Sequence, residues 1–215
     1  MQERGYVYMR IGIDVDGVLL NTEKFMLKYG SRFFRKEPVD RYGYTIEEIF
    51  GVSGLPVTLF GIRWFFPYYC RKYPPYSGAA KVYDELRRNG DSIYQITARK
   101  FAASKSPIGK MSFRFLKNWL RKNHFHYDKL IICDEKNVSA EKLGHCKNHN
   151  INIMIEDNPW TATLLAENGI RVLLYDAPYN RHVSAENITR VHNWNEISSF
   201  LRKIRSNYKG VNNHE

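Results

Sequence analysis

The chain has 215 residues, 43% hydrophobic and 26% charged, with 33 Lys and Arg against 22 Asp and Glu, a formal net charge of +11. This composition excludes wholesale disorder, the length suits one α/β domain with at most a small insertion, and no apolar run reaches the roughly 18–20 residues of a membrane-spanning helix. The basic balance asks for an anionic partner, whether nucleic acid, acidic lipid or a phosphorylated small molecule, and does not choose among them.

Tyr6 to Ile13 is β-rich and runs straight into Asp14-Val-Asp-Gly-Val18, a strand feeding an acidic turn. Ala79 to Leu86 has helical spacing, with Asn89-Gly90 as its stop. Ser92 to Thr97 is a second strand, and Met111 to Lys122 a helix with Leu116, Trp119 and Leu120 on one side. A short strand at Leu130 to Cys133 precedes a helix over about 139–148. Ile151 to Ile155 is the next strand, ending in Glu156-Asp157, and Pro159 opens the helix that stops at Asn168-Gly169. Arg171 to Tyr175 is a further strand, and Ile197, Phe200, Leu201 and Ile204 mark the last helix. Strands alternating with helices predict an α/β fold, a Rossmann-like parallel sheet with helices on both faces.

One stretch breaks the rhythm. Residues 21–74 hold about half of the chain's aromatic side chains, together with Pro38, Pro56, Pro67 and Pro74. We read them as a small, mainly helical cap inserted after the first strand, with 1–20 and 75–205 as the core and 206–215 as a flexible tail. Three cysteines without a CxxC pair predict reduced thiols. Met1 to Gly12 is too polar for a secretory signal. Both favour a cytoplasmic location.

Sites in an open parallel sheet form where strand ends meet helix N-termini. Three strands here end at Asp14-Val-Asp16, Thr97-Ala-Arg99 and Glu156-Asp157. If they are neighbours, four carboxylates and a hydroxyl share one crevice, and such a cluster needs a cation; oxygen-only ligands suit Mg²⁺. Each piece alone has a plainer reading. Asp and Gly gather in turns for backbone reasons, Glu156-Asp157 before Asn-Pro can be a helix cap, and Thr97 can be an ordinary strand-end hydroxyl. A calcium loop starting at Asp14 fails, with Leu19 at its sixth position and Phe25 at its twelfth. The functional reading rests on the whole set falling at strand ends.

That set resembles the haloacid-dehalogenase-like phosphohydrolase superfamily. Ile13-Asp-Val-Asp-Gly-Val18 is similar to its first motif, Ile96-Thr97 to its second and Ile155-Glu-Asp157 to its fourth. Thr97-Ala-Arg99, Met154-Ile-Glu-Asp-Asn-Pro159 and Asp176-Ala-Pro-Tyr-Asn-Arg181 are similar to its 5'(3')-deoxyribonucleotidase and bacterial nucleotidase-like branch. The resemblance implies a Mg²⁺-dependent phosphomonoester hydrolase of the 5'-nucleotidase type, with a phosphatase of another small phosphoester such as a sugar phosphate as the alternative.

Phosphate monoester cleavage needs a nucleophile, neutralisation of the phosphoryl oxygens and a proton for the leaving oxygen. On the resemblance, Asp14 is the nucleophile that forms an aspartyl-phosphate, and Asp16 is the general acid and base. A dehalogenase-like relative lacks that second Asp. Asp14, the Asp16 carbonyl and Asp157 are the implied Mg²⁺ ligands, with Glu156 behind them. Thr97 and the backbone around Ala98 would bind phosphate. For the phosphate lysine, Lys142 is favoured and Lys136, closer to the preceding strand end, is the runner-up; a solvated surface lysine is the plain alternative for either. Arg99 is a candidate for the substrate or for bracing Glu156. Trp64 and the other cap aromatics are candidates for stacking a base, although a cap of this size needs aromatics simply to make a core.

The expected partner is a small phosphorylated metabolite, a nucleoside monophosphate by the branch resemblance, with no membrane. A non-catalytic basic nucleic-acid-binding protein on the same fold is the rival from another class. It is disfavoured because an acidic crevice repels a phosphate backbone.

Overall fold

The computed structural model describes residues 8–99 and 102–211. Six strands form one parallel sheet: β1 Arg10–Ile13, β2 Ser92–Thr97, β3 Lys129–Ile132, β4 Ile153–Glu156, β5 Arg171–Tyr175 and β6 Ile188–Val191. Their order is β3-β2-β1-β4-β5-β6. The chain winds one way from β1 to β3, then restarts at β4 on the other side of β1, so the winding reverses between β1 and β4. Ile13 is in register with Gln95 of β2 and Ile155 of β4. The residues that follow these three strands therefore meet at one edge.

Between β1 and the next core helix the chain is mostly helical. It forms α1 Thr22–Phe34, α2 Ile46–Phe50, α3 Leu55–Phe60, a π-helical stretch Gly61–Tyr69 and the single turn α4 Cys70–Lys72. The starts are written locally: Asn21 accepts from the Lys24 N–H at 2.8 Å, and Thr45 and Glu48 make a reciprocal capping box. Most cap aromatics make a core, as Phe25 does by packing on Tyr29, Phe60, Tyr69 and Tyr73. Leu20 pairs antiparallel with Pro75, and the Tyr76 N–H donates to the Leu19 carbonyl at 2.8 Å.

The core helices are α5 Ala79–Arg88, α6 Pro107–Lys122, α7 Val138–Asn148, α8 Pro159–Glu167 and α9 Trp194–Val211. Side chains alternate along the strands, and both faces are apolar. Ile11, Ile13, Ile155 and Leu173 pack with Leu86 of α5, Trp119 of α6 and Leu201 of α9. Ile96, Met154, Val172 and Leu174 pack with Cys146 of α7 and Leu165 of α8. Trp119 is fully enclosed and its indole donates to the Tyr73 carbonyl at 2.8 Å. Truncating it to Ala would cost about 3–5 kcal/mol.

Some boundaries differ from those expected. α6 starts at Pro107 rather than Met111, because Ser106 accepts from the Gly109 N–H at 3.1 Å and Pro107 fits the first turn. β1 covers only Arg10–Ile13 of the strand expected over 6–13, whose first two residues lie outside the described ones. β6 was not foreseen: it is four residues long and half-buried, and Arg190 within it bonds Asp176 and Asn180. α9 continues to Val211, so 206–211 of the expected flexible tail is helical, and 212–215 lie outside the described residues.

Candidate active site

Asp14 follows the last residue of β1, and its N–H donates to the Ile155 carbonyl of β4 at 3.0 Å. That bond fixes Asp14 opposite Glu156 and Asp157, and carboxylate oxygens of the three lie within 4.8 Å of one another. Lys142 enters from α7, where its i,i+4 partner Cys146 also faces the sheet. Its Nζ lies 2.7 Å from Glu156 Oε2 and 3.2 Å from Asp14 Oδ1. All four side chains are buried. Three carboxylates thus face one ammonium, a surplus of negative charge that burial makes costly.

The electrostatics follow. Burial, reinforced by Glu156 and Asp16 and opposed by Lys142, pushes the Asp14 carboxyl up to about 7. Burial also raises Asp157 well above the carboxylate range, with Glu156 and Asp14 adding to it. Burial works against the Lys142 ammonium, but Asp14 and Glu156 overcome it and hold its pKa well above the ordinary lysine value.

The two oxygens of Glu156 are engaged. Oε2 takes Lys142, and Oε1 accepts the N–H groups of Asp157 and Asn158, each at 3.1 Å. Asp14 Oδ1 and Asp157 Oδ1 are buried and have no hydrogen-bond partner among the described residues. Asp14 Oδ1 faces only the Lys142 ammonium, at 3.2 Å, and Asp157 Oδ1 faces no donor among the described residues. With Glu156 beside them this all-oxygen cluster is the donor set of a hard divalent cation, so the residues present fit Mg²⁺. Asp14 and Asp157 would hold it, with Glu156 fixing the loop behind them. The Asp16 carboxylate points elsewhere.

Asp16 is gripped by Arg99, with Nε 3.1 Å from Oδ2 and Nη2 2.7 Å from Oδ1, and by the Tyr69 hydroxyl, which donates to Oδ1 at 2.6 Å. Tyr69 comes from the π-helical stretch of the cap, and its hydroxyl also lies 2.6 Å from the Thr22 hydroxyl. The Arg99 guanidinium is buried; burial opposes its charge, and Asp16 more than restores it. Arg99 therefore braces Asp16, not Glu156, and its side chain is not presented to a substrate.

Asp157 is steadied from behind by residues whose role could not be derived from sequence. The Tyr179 hydroxyl donates to Asp157 Oδ2, and Asn180 Nδ2 donates to the carbonyls of Asp157 at 2.7 Å and Tyr175 at 2.8 Å. Gly17 lies against the same carboxylate with φ +85°, and a Cβ there would fall 1.9 Å from Asp157 Oδ2. The glycine of the first motif is thus required twice over, by backbone conformation and by space.

An open cleft of about 720 Å³ leads to this cluster. Asp14, Asp16, Thr97, Ala98 and Lys142 line its deep end, and Tyr44, Trp160 and Leu164 are on its walls. Thr97 is buried at the end of β2. Both candidate lysines reach the cleft, but Lys136 is exposed, whereas Lys142 is locked into the carboxylates. Trp64 does not line the cleft: its ring packs on Tyr29 of α1 at 4.7 Å. The cap contributes Tyr44 instead. Tyr44 and Trp160 went unrecognised, since nothing in their spacing separates a cleft aromatic from a packing one.

Comparison with known proteins identifies the family. Residues 8–207 match the family model of 5' nucleotidase, deoxy (pyrimidine), cytosolic type C proteins. The chain is 33% identical over 96 residues to the Bacillus subtilis protein named "Putative nucleotidase YqfW", a match covering 44% of this chain and about half (48%) of that one. It is 26% identical over 200 residues to the Halalkalibacterium halodurans protein named "Putative nucleotidase BH1399", covering 89% and 92% of the two chains. A haloacid-dehalogenase-superfamily hydrolase of subfamily IA from Geobacter sulfurreducens shares the fold, with a TM-score of 0.58 and 16% identity over 94% of this chain and 100% of that one. The chain belongs to the family of 5' nucleotidase, deoxy (pyrimidine), cytosolic type C proteins and shares the fold of the haloacid-dehalogenase-superfamily hydrolases.

Proposed function

We propose that this protein is a Mg²⁺-dependent nucleotidase that hydrolyses a nucleoside monophosphate through an aspartyl-phosphate on Asp14. One observation carries this reading: the buried carboxylates of Asp14, Glu156 and Asp157 converge beside a single ammonium, that of Lys142, at an open cleft, and Asp157 Oδ1 is left without a donor among the described residues. Mg²⁺ would supply charge neutralisation to the phosphoryl oxygens and keep the Asp14 carboxylate ionised.

The chain's own groups do the rest. An Asp14 carboxylate oxygen attacks phosphorus, and the bond from phosphorus to the ester oxygen breaks as Asp16 gives that oxygen its proton. Asp16 carries a proton at this stage and is returned to that form by the later deprotonation of water. Asp16, now a carboxylate, takes a proton from water, whose oxygen attacks the phosphorus and releases Asp14. Thr97 and the Ala98 backbone would donate to the phosphoryl oxygens, and the Lys142 ammonium adds positive charge while tying Asp14 to Glu156. The net charge of +11 around a locally acidic site suits the capture of small phosphate dianions.

The test is a panel of nucleoside monophosphates and sugar phosphates assayed with and without Mg²⁺, using Asp14→Asn as the control. Release of phosphate from nucleotides that needs Mg²⁺ and is lost in the variant supports the reading. Turnover without metal, or persisting in Asp14→Asn, refutes it.

A further inference from the structure

The phosphate chemistry occupies the deep end of the cleft and leaves one wall unused. On that wall Trp160, in the first turn of α8, is 63% exposed. Leu164, one helical turn later, lines the same wall. Across from them the cap brings Tyr44, whose ring meets Trp160 at 5.7 Å and 89°. Tyr44 in turn meets Tyr179 edge-on at 5.0 Å, and Tyr179 bonds the Asp157 carboxylate. The indole is thus linked through two rings to the acidic cluster, yet most of its surface is open to water.

An exposed tryptophan in a cleft wall has apolar area to lose and a π-face to offer. The phosphate end needs neither, and a sugar, which sets only C–H groups against such a face, does not match it ring for ring. A nucleobase does, whichever base it is. The cleft volume of about 720 Å³ lies within the range of small-molecule sites, so a phosphate at Asp14 and a ring on this wall can share it.

We propose that Trp160, buttressed by Tyr44, is the platform on which the substrate's nucleobase stacks, and that this contact selects nucleoside monophosphates over base-free sugar phosphates. The proposal rests on the nucleotidase reading above and adds the residue that sets its selectivity. It moves the stacking role from the cap aromatics to the loop-to-helix turn that follows Asp157.

The experiment compares wild type, Trp160→Ala and Trp160→Phe on a nucleoside 5'-monophosphate and on ribose 5-phosphate. Isothermal titration of the same nucleotide into Asp14→Asn, with and without Trp160→Ala, gives binding without turnover. Loss of one base stack corresponds to about 5- to 150-fold. We expect Trp160→Ala to raise KM for the nucleotide within that range, with most of the effect in KM rather than kcat. The ratio of kcat/KM for nucleotide over ribose 5-phosphate should fall by the same factor, and Trp160→Phe should restore most of it. Nucleotide cleavage with an unchanged ratio in Trp160→Ala overturns the platform and leaves the nucleotidase reading intact. A wild-type enzyme that cleaves ribose 5-phosphate and neither cleaves nor binds nucleotide overturns both.

Discussion

Arg99 holds Asp16 with two donors, at 3.1 and 2.7 Å, and is itself buried, so the pair is rigid on the arginine side and open to the cleft on the aspartate side. On the acid–base role proposed for Asp16, such a brace would fix where a proton is given and taken without touching the substrate. Arg99→Met should therefore lower kcat by about 100-fold, the scale of a misplaced catalytic group, while KM stays close to wild type. Tyr69→Phe removes one donor of three and should cost less. Steady-state kinetics of both variants, with melting temperatures to exclude unfolding, check this.

The charge surplus around Asp14 gives a second expectation. Replacing Asp157 by Asn removes a carboxyl that burial and its two carboxylate neighbours make costly to ionise, and keeps an oxygen for the Tyr179 hydroxyl. Metal-free Asp157→Asn should melt no lower than metal-free wild type. Wild type at 100-fold excess of Mg²⁺ over its Kd should gain about 2.7 kcal/mol, or about 5–10 °C, and the variant should gain almost nothing. Thermal melts with EDTA and with Mg²⁺ measure both halves.

Gly17→Ala tests the close approach to the Asp157 carboxylate. A left-handed backbone with a Cβ costs about 1–2 kcal/mol, and the clash with Asp157 must add to it. The variant should be both less stable and nearly inactive, whereas Gly144→Ala, in open space on α7, should be neither. Denaturant midpoints and activity of the two variants side by side separate a local clash from a general effect of added bulk.

A pH effect is expected far from the cleft. Glu85 on α5 accepts from Arg202 and Ser198 of α9, and the Arg202 hydrogen bond, offset in part by burial, holds its carboxyl down to about 2 from 4.5. A folded pKa below the unfolded one stabilises the fold above about pH 4.5, and that stabilisation is lost as pH falls towards 2. Glu85→Gln should thus melt below wild type at pH 6, with the gap narrowing through pH 3. Melts across that range give the sign directly.

The thiols provide a last check on packing. Burial pushes Cys70, Cys133 and Cys146 each up to about 12, so none offers a thiolate near neutral pH. A thiol-reactive chromophore at pH 8 should label native protein slowly and label all three on denaturation.

Legibility from sequence followed the range of the forces involved. β2 and β5 were bounded correctly because apolar runs between turn residues are local signals. The acidic residues of the site were visible because each closes a strand, and strand ends converge once the sheet is parallel. Lys142, favoured over Lys136 from its place near a helix start, shares the inward face of α7 with buried Cys146 four residues on. The rest depended on contacts distant in sequence. Arg99 meets Asp16 across 83 positions, and Trp64 turns to Tyr29 rather than to the cleft only because of how the cap helices pack. The start of α6 was lost for a nearer reason, a Ser-Pro cap on a stretch with little apolar periodicity.

The pairing of Leu20 with Pro75 has a consequence for how this architecture varies. The chain leaves after β1 and comes back ahead of α5 at neighbouring points, so the intervening segment is a closed loop hung from a single stem. A loop with joined ends can be shortened, lengthened or exchanged at little entropic cost and without disturbing strand register below it. What such an exchange must preserve is one hydroxyl, that of Tyr69, reaching down to Asp16. A transplanted segment that lacks it would leave the sheet folded and Asp16 held by Arg99 alone.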